Sequence, residues 1–391
     1  MNNTEIGILS LIKSAVTGDK VSIPEDFDWK SAVEISVKHH TAVLLYYGAY
    51  NSGIEIPAPY SAALDKYALN SVQYEAKQRY EAEMVYKAFN DGEIDYLPLK
   101  GAVMKKYYPQ PEMRYMCDID MLIKQEQYPE IKGIMESLGF EFVVESNHEY
   151  VWKRKYLHIE LHKYLIPSYN KDYYEYYGTG WKLAQKKSQS EYELGREDFL
   201  IYIFTHLAKH YRDSGVGIKN FADIWVYKRA EKNLDEEYIN NELTKLQLQK
   251  FYKNSMELLD VWFEGRKSDD MTDFMTKWIF SSGAYGTIEN NNLSTALKET
   301  KAFKDSGHRQ VSLYIRKVFL PLKKMKKRYT VLEKAPYLLP VMWAVRIFDV
   351  MFFRRKSISE NNKRLRELTD ENINNYEKAL NYVGLDFNFK E

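Results

Sequence analysis

The sequence predicts an α+β protein, a small mixed sheet with helices set between an N-terminal and a C-terminal helical region. Three observations carry this. Apolar residues recur at helical spacing through residues 4–92. Between residues 94 and 162 they gather instead into short runs of strand length. From Asp198 onward the helical spacing returns.

In order along the chain, Ile8, Leu9, Ile12, Ala15 and Val16 form an amphipathic stripe that Gly18 and Pro24 end. Asp28 is placed to cap one helix running through Val33, Ile35 and Val37 to Leu45 and Tyr46. His39 and His40 fall inside it. Neighbours on a helix point about 100° apart, so the pair reads as ordinary helix residues. Pro57 and Pro59 mark a break, and a long helix with a solvated charged face follows over 60–91. Strand-like runs then cover 94–97, 116–123, 140–144, 150–153 and 157–162. A helix over 127–138 ends at Gly139, and Arg154-Lys155 makes a hairpin turn.

The chemistry concentrates in this middle part. Side chains on a strand alternate, so Asp118 and Asp120 share one face, and Cys117, Ile119 and Met121 share the apolar one. Adjacent carboxylates repel unless a cation lies between them, and such oxygen donors suit Mg²⁺. In the run 157–162, Leu157, Ile159 and Leu161 face one way and His158, Glu160 and His162 the other. Glu160 can therefore complete a two-metal site with the Asp pair. Upstream, Lys100-Gly101 stands at a strand-to-helix turn, where a glycine lets backbone N–H groups approach a phosphate. Taken alone, each of these patterns is also met in loops and half-exposed strands.

The fuller pattern resembles a known family. Leu99-Lys100-Gly101, Tyr108-Pro109, Arg114, Asp118-Ile119-Asp120-Met121-Leu122-Ile123 and Glu160-Leu161-His162 look like the bacterial uncharacterised nucleotidyltransferase family. That family lies within the DNA polymerase β-like nucleotidyltransferase superfamily. The resemblance is strongest over 95–165. It implies a polymerase β-like core over 93–165 between helical regions 1–92 and 166–391. It also implies a nucleoside triphosphate substrate such as ATP, a hydroxyl acceptor of small or sugar-like type, and Mg²⁺ or Mn²⁺ held by Asp118, Asp120 and Glu160. Lys100, Gly101 and Arg114 are the nucleotide-binding candidates. Where the superfamily usually has Gly-Gly or Gly-Ser at the turn, this chain has Lys100-Gly101. Lys100 either replaces the missing phosphate contact or pairs with Glu160 or an Asp. Arg114 either grips triphosphate or pairs with the site carboxylates. A non-catalytic member that binds nucleotide or a partner is the alternative reading.

Residues 164–187 are rich in Tyr and read as a connector or lid. Beyond them, 206–225 resemble a second block of the same family. His206 and His210, four apart on one helix face, and Asp223 either line the cleft or pack as satisfied core groups. The apolar stretch 337–353 reads as a buried helix, with a membrane-surface segment as the alternative. It is too short to span, carries Arg346 and Asp349, and is flanked by basic residues within 316–356. Residues 357–371 read as charged and exposed. Net charge is +1, with 56 Lys and Arg against 55 Asp and Glu, so no bulk field announces nucleic acid. The single cysteine, Cys117, excludes an internal disulfide framework and fits a reducing, cytoplasmic setting. The first residues carry no secretory signal pattern.

Overall fold

A computed structural model describes residues 1–301, 319–326, 329–353 and 368–386. Helices α1 (Asn3–Thr17), α2 (Trp29–Lys38) and α3 (Ala42–Ser52) precede the long α4 (Ala58–Asp91). Asn2 and Glu5 form a capping box on α1, and Asp28 caps α2 by accepting from the N–H groups of Lys30 and Ser31. The expected single helix through the His pair is two helices. His39 closes α2, and His40 takes a left-handed backbone, φ 57°, which α-helix cannot continue through. α1 and α3 lie nearly in backbone contact, since a Cβ on Gly48 would meet the Leu11 carbonyl oxygen at 1.9 Å.

The sheet follows. Its strands are β1 (Tyr96–Pro98), β2 (Asp118–Ile123), β3 (Glu141–Glu145), β4 (Glu149–Arg154) and β5 (Leu157–His162), in spatial order β1-β2-β5-β4-β3. β2 and β5 run parallel; the other neighbours run antiparallel. Between β1 and β2 lie α5 (Lys100–Met104) and two short 3₁₀ turns, and α6 (Tyr128–Ser137) leads into β3. The alternation read from the sequence sets which face is covered. Ile119, Met121, Ile159 and Leu161 pack with Trp152 against Val85 and Phe89 of α4 and Ile131 and Met135 of α6. Trp152 is wholly buried, and burial of such a side chain is worth about 2–3 kcal/mol.

The Tyr-rich segment connects the sheet to the helices, and its Pro167 and Tyr169 line the cleft described below. It holds α7 (Lys171–Tyr177), whose Tyr173 and Tyr177 are buried in the main core, and leads to a small hairpin of β6 (Ala184–Lys186) and β7 (Tyr192–Leu194). Helices α8 (Arg196–Asp213), α9 (Ile218–Ala230), α10 (Glu236–Lys245), α11 (Gln249–Phe263), α12 (Asp270–Ser282) and α13 (Ile288–Lys301) come next. Side chains of α1 and α3 share one apolar core with those of α8, α9, α11 and α12. His39 pins this joint. Its Nδ1 accepts from the Ile218 N–H at 3.1 Å, which leaves Nε2–H to donate to the Phe280 carbonyl at 3.1 Å. Burial holds the ring neutral, with its pKa lowered to about 4.

Short helices α14 (Leu322–Lys326) and α15 (Val331–Lys334) lead to α16 (Leu339–Phe353). The buried reading of this stretch does not hold, because Tyr337 and Val341 are 79% and 53% exposed. No described helix is long and apolar enough to cross a membrane. Arg316, Lys317, Lys327, Arg328, Arg354, Arg355, Lys356 and residues 357–367 lie outside the described residues. The final helix, α17 (Asp370–Val383), docks through Ile373, Tyr376, Leu380 and Val383.

Candidate active site

The parallel register of β2 and β5 sets Asp120 beside Glu160 and Asp118 beside His158. Because both strands bury the alternate side chains, Asp118, Asp120, Glu160 and His162 stand on the uncovered face. They form one wall of a cleft of about 980 Å³ whose other wall is made by α8 and α9. His206 and His210 line that wall, as do Lys209, Lys219 and Asp223.

Asp120 is the most heavily partnered group. Its Oδ1 accepts from Lys100 Nζ at 2.8 Å and from His162 Nε2 at 2.7 Å. Burial alone would raise its pKa, but the Lys100 ammonium and His162 outweigh burial and hold the carboxyl well below the usual carboxylate range. Lys100 is held charged in turn: burial opposes this, and Asp120 prevails. Of the two roles read for Lys100, pairing with an Asp is the one seen. Asp118 behaves oppositely. Burial, then Asp120 and Glu160, push its pKa up to about 6. Two carboxylates on one strand are therefore driven apart by what surrounds them.

His162 also meets His148 on β4's entry loop, Nδ1 to Nε2 at 2.8 Å. Burial and its cationic neighbours keep His148 neutral, with a pKa near 2. Burial likewise depresses His206 and His210 far below the ordinary histidine value.

Arg114 and Gly101, two of the nucleotide-binding candidates, both line the cleft. Of the carboxylates, Arg114 pairs with Asp223 rather than with those of β2. Its Nε and Nη2 grip Asp223 of α9 at 2.8–3.0 Å, and Nη1 donates to the Tyr115 carbonyl at 2.6 Å. Tyr108 adds a hydroxyl bond to Asp223 at 2.8 Å. This buried knot fastens α9 to the segment before β2. Gly101 is not the left-handed residue of its turn; Lys100 is, with φ 43°. Gly101 lies in the first turn of α5, where a Cβ would meet Met116 Sδ at 2.8 Å and Arg114 Nη1 at 3.4 Å. What it supplies is room. Cys117 also departs from the apolar face read for it: it lines the cleft, with Sγ 3.1 Å from the Tyr285 hydroxyl.

Lys209 and Lys219 escaped the sequence reading. Both line the cleft, and among the described residues neither makes a direct ion pair or hydrogen bond, although Asp213 and Glu149 lie near Lys209 and Asp223 and Asp118 near Lys219. Lys209 is only 9% exposed. Burial lowers both ammonium pKa values to about 8. The available signal was a lysine inside the otherwise buried stripe of α8, flanked by Ala208 and His210.

Donor atoms of Asp120, Glu160 and His162 lie within 4.8 Å of one another, as do those of His148, Glu149 and His162. The first trio, with Asp118 alongside, is rich in oxygen and fits Mg²⁺ or Mn²⁺. The Lys100 ammonium already supplies a positive charge at Asp120, as a cation there would.

A family model described as uncharacterised nucleotidyltransferase matches residues 25–264. The chain belongs to this family. The match takes in the whole sheet and both walls of the nucleotidyltransferase cleft; Tyr285, at its mouth, lies beyond it. No curated protein and no solved structure matches the chain.

Proposed function

We propose that this nucleotidyltransferase moves a nucleoside monophosphate from a nucleoside triphosphate, such as ATP, to the hydroxyl of a small or sugar-like acceptor. The supporting observation is the separation of charge across the cleft. Carboxylates Asp118, Asp120 and Glu160 occupy the sheet wall, and Lys209 and Lys219, which make no direct ion pair among the described residues, face them from the helical wall beside Asp213 and Asp223. An unpaired buried lysine is costly unless an anion joins it, and a triphosphate is such an anion. Asp118, Asp120 and Glu160 would hold Mg²⁺ or Mn²⁺, which when bound neutralises phosphate charge and acidifies a coordinated hydroxyl.

The residues divide the remaining work. Lys209 draws the departing phosphates toward the Glu149 side of the cleft, and Lys219, near Asp118 and Asp223, faces the reacting phosphate. Lys100, released from Asp120, is long enough to follow the phosphates. The acceptor oxygen bonds to the α-phosphorus as the α–β bridging bond breaks. Pyrophosphate carries off the leaving electron pair, and the hydroxyl proton passes to the carboxylate wall. The buried Arg114–Asp223 knot keeps the two walls at fixed spacing.

Label transfer from each of four α-labelled triphosphates, with Mg²⁺ and candidate acceptors, tests this. Pyrophosphate release that vanishes in Asp120→Asn supports it. The Lys100–Asp120 bond favours a second reading, a non-catalytic nucleotide binder whose own lysine fills the cation position. Triphosphate binding without pyrophosphate release under every condition would select that reading.

A further inference from the structure

A second cavity, of about 480 Å³, lies beside the cleft. Its floor is one face of α4, with Tyr67, Asn70, Tyr74 and Lys77 recurring at three- and four-residue spacing. The α2–α3 corner lies opposite, and Tyr115 and Tyr156 close it. The divider from the cleft is aromatic. The His40 ring stands edge-on to Tyr115 and to Tyr285, at 5.0 Å from each. His40 lines the second cavity and Tyr285 lines the cleft.

Several features mark this as a built site. The volume falls within the range that small molecules occupy, roughly 300–1,000 Å³. His40 holds a left-handed backbone, φ 57°, and its Nδ1 is buried without a hydrogen-bond partner. Both are costs that persist where surroundings dictate a position, and such costs gather at ligand sites. The lining contains four tyrosines and two side-chain amides, Asn70 and Gln73, and no carboxylate. Its one ammonium, Lys77, already lies over the Tyr156 ring at 4.5 Å. Flat aromatic faces with amides and no spare charge suit an uncharged ring that carries hydroxyls.

The position decides what such a ring is for. Tyr115 is three residues before Asp118, and its electrostatic neighbours are Cys117, Tyr74 and Asp118. Those of Lys209 are Lys100, Asp213, Lys298 and Glu149, on the Glu149 side of the cleft, while Lys219 stands between, near Asp118 and Asp223. In-line transfer needs the acceptor and the departing pyrophosphate on opposite sides of the α-phosphorus. We propose that the second cavity is the acceptor subsite and takes an uncharged glycoside, whose hydroxyl reaches past Tyr115 to Asp118. This rests on the nucleotidyl-transfer reading above.

Saturation-transfer NMR tests it with uncharged methyl and phenyl glycosides of glucose, galactose and mannose as probes. Tripolyphosphate is titrated separately into the same protein. We expect glycoside binding that falls at least tenfold in Tyr74→Ala and in Tyr67→Ala, with tripolyphosphate affinity unchanged in both. Tyr67 is 42% exposed, so its replacement leaves the fold intact. No glycoside binding, or binding indifferent to both substitutions, overturns the proposal. So does competitive displacement by ATP, which would make the cavity a nucleobase pocket. Preferential capture of a single-stranded RNA oligomer, lost in the same variants, overturns it in favour of a nucleic-acid acceptor. If tripolyphosphate fails to bind the unaltered protein, the nucleotidyl-transfer reading fails instead.

Discussion

Replacing Lys100 by Met removes the ammonium bonded to Asp120 at 2.8 Å and leaves a side chain of similar length. Both partners are largely buried, at 18% and 9% side-chain exposure. Losing one member of a buried pair costs about 3–5 kcal/mol when the other is left uncompensated. Here His162 remains on the same oxygen, so the expected cost is lower, about 2 kcal/mol. The sign with pH follows from Asp120, whose folded-state pKa lies below its ordinary value of 3.8. Its contribution is fully present above that value and is lost as pH falls through the folded pKa. With a smaller depression in the variant, the loss is smaller and is complete at a higher pH. The ammonium also competes with any divalent ion for Asp120, so Lys100→Met should bind Mg²⁺ or Mn²⁺ more tightly and regain stability on adding it. Triphosphate should bind less well, while monophosphate changes little, if Lys100 follows the phosphates. Thermal melts with and without Mg²⁺, and calorimetric titrations of metal and nucleotide, read all of this. Identical melting and identical metal affinity in variant and parent would refute the cation-competition reasoning.

Asp120→Asn should abolish calorimetric binding of Mg²⁺ and Mn²⁺; equal affinity in both proteins would remove this residue from the metal site. Gly101→Val should destabilise by about 1–3 kcal/mol through collision with Met116. A loss of nucleotide affinity at unchanged melting temperature would instead favour a phosphate-binding role for Gly101. Lys209→Met and Lys219→Met should each weaken tripolyphosphate binding by about 1.5–3 kcal/mol without lowering the melting temperature, because neither lysine bonds within the fold. Stability to urea should fall from pH 7 to pH 5, since His39 and His40 have folded pKa values near 4 and the unfolded chain takes up protons first. Asp118, raised to about 6, and His162, also raised, oppose this, and a midpoint that rises on acidification would refute the assignment.

The sheet was legible because period-two alternation is strong where one face is covered. The run containing Glu160 gave its strand bounds to the residue, Leu157–His162. Asp118, Asp120 and Glu160 were legible for the same reason: polar residues on the uncovered face of such strands converge. The α2–α3 break was not, because nothing local distinguishes His40 from a helical residue. Its backbone is set by tertiary packing between Tyr115 and Tyr285. The partner of Arg114 was not legible, because Asp223 is more than a hundred residues away on α9. Lys209 and Lys219 were passed over because lysine on a helix is ordinarily solvated. Only the fold shows that these two point into a cleft. Exposure of α16 escaped for the converse reason, since a strongly apolar helix reads as interior whether or not anything covers it.

The histidine clasp between the α2 end and the residue next to Lys219 has a consequence for the order in which a ribosome makes this chain. The carboxylate strands emerge early. The lysine wall emerges later, and its seating waits for His39 to reach both Ile218 and the Phe280 carbonyl. A nascent chain stopped before residue 280 therefore has half of the clasp, and α9 is tied only through the Ile218 bond and the Arg114–Asp223 knot. Such a chain should carry a formed sheet yet hold triphosphate more weakly than the full chain, so binding would strengthen as α12 is completed.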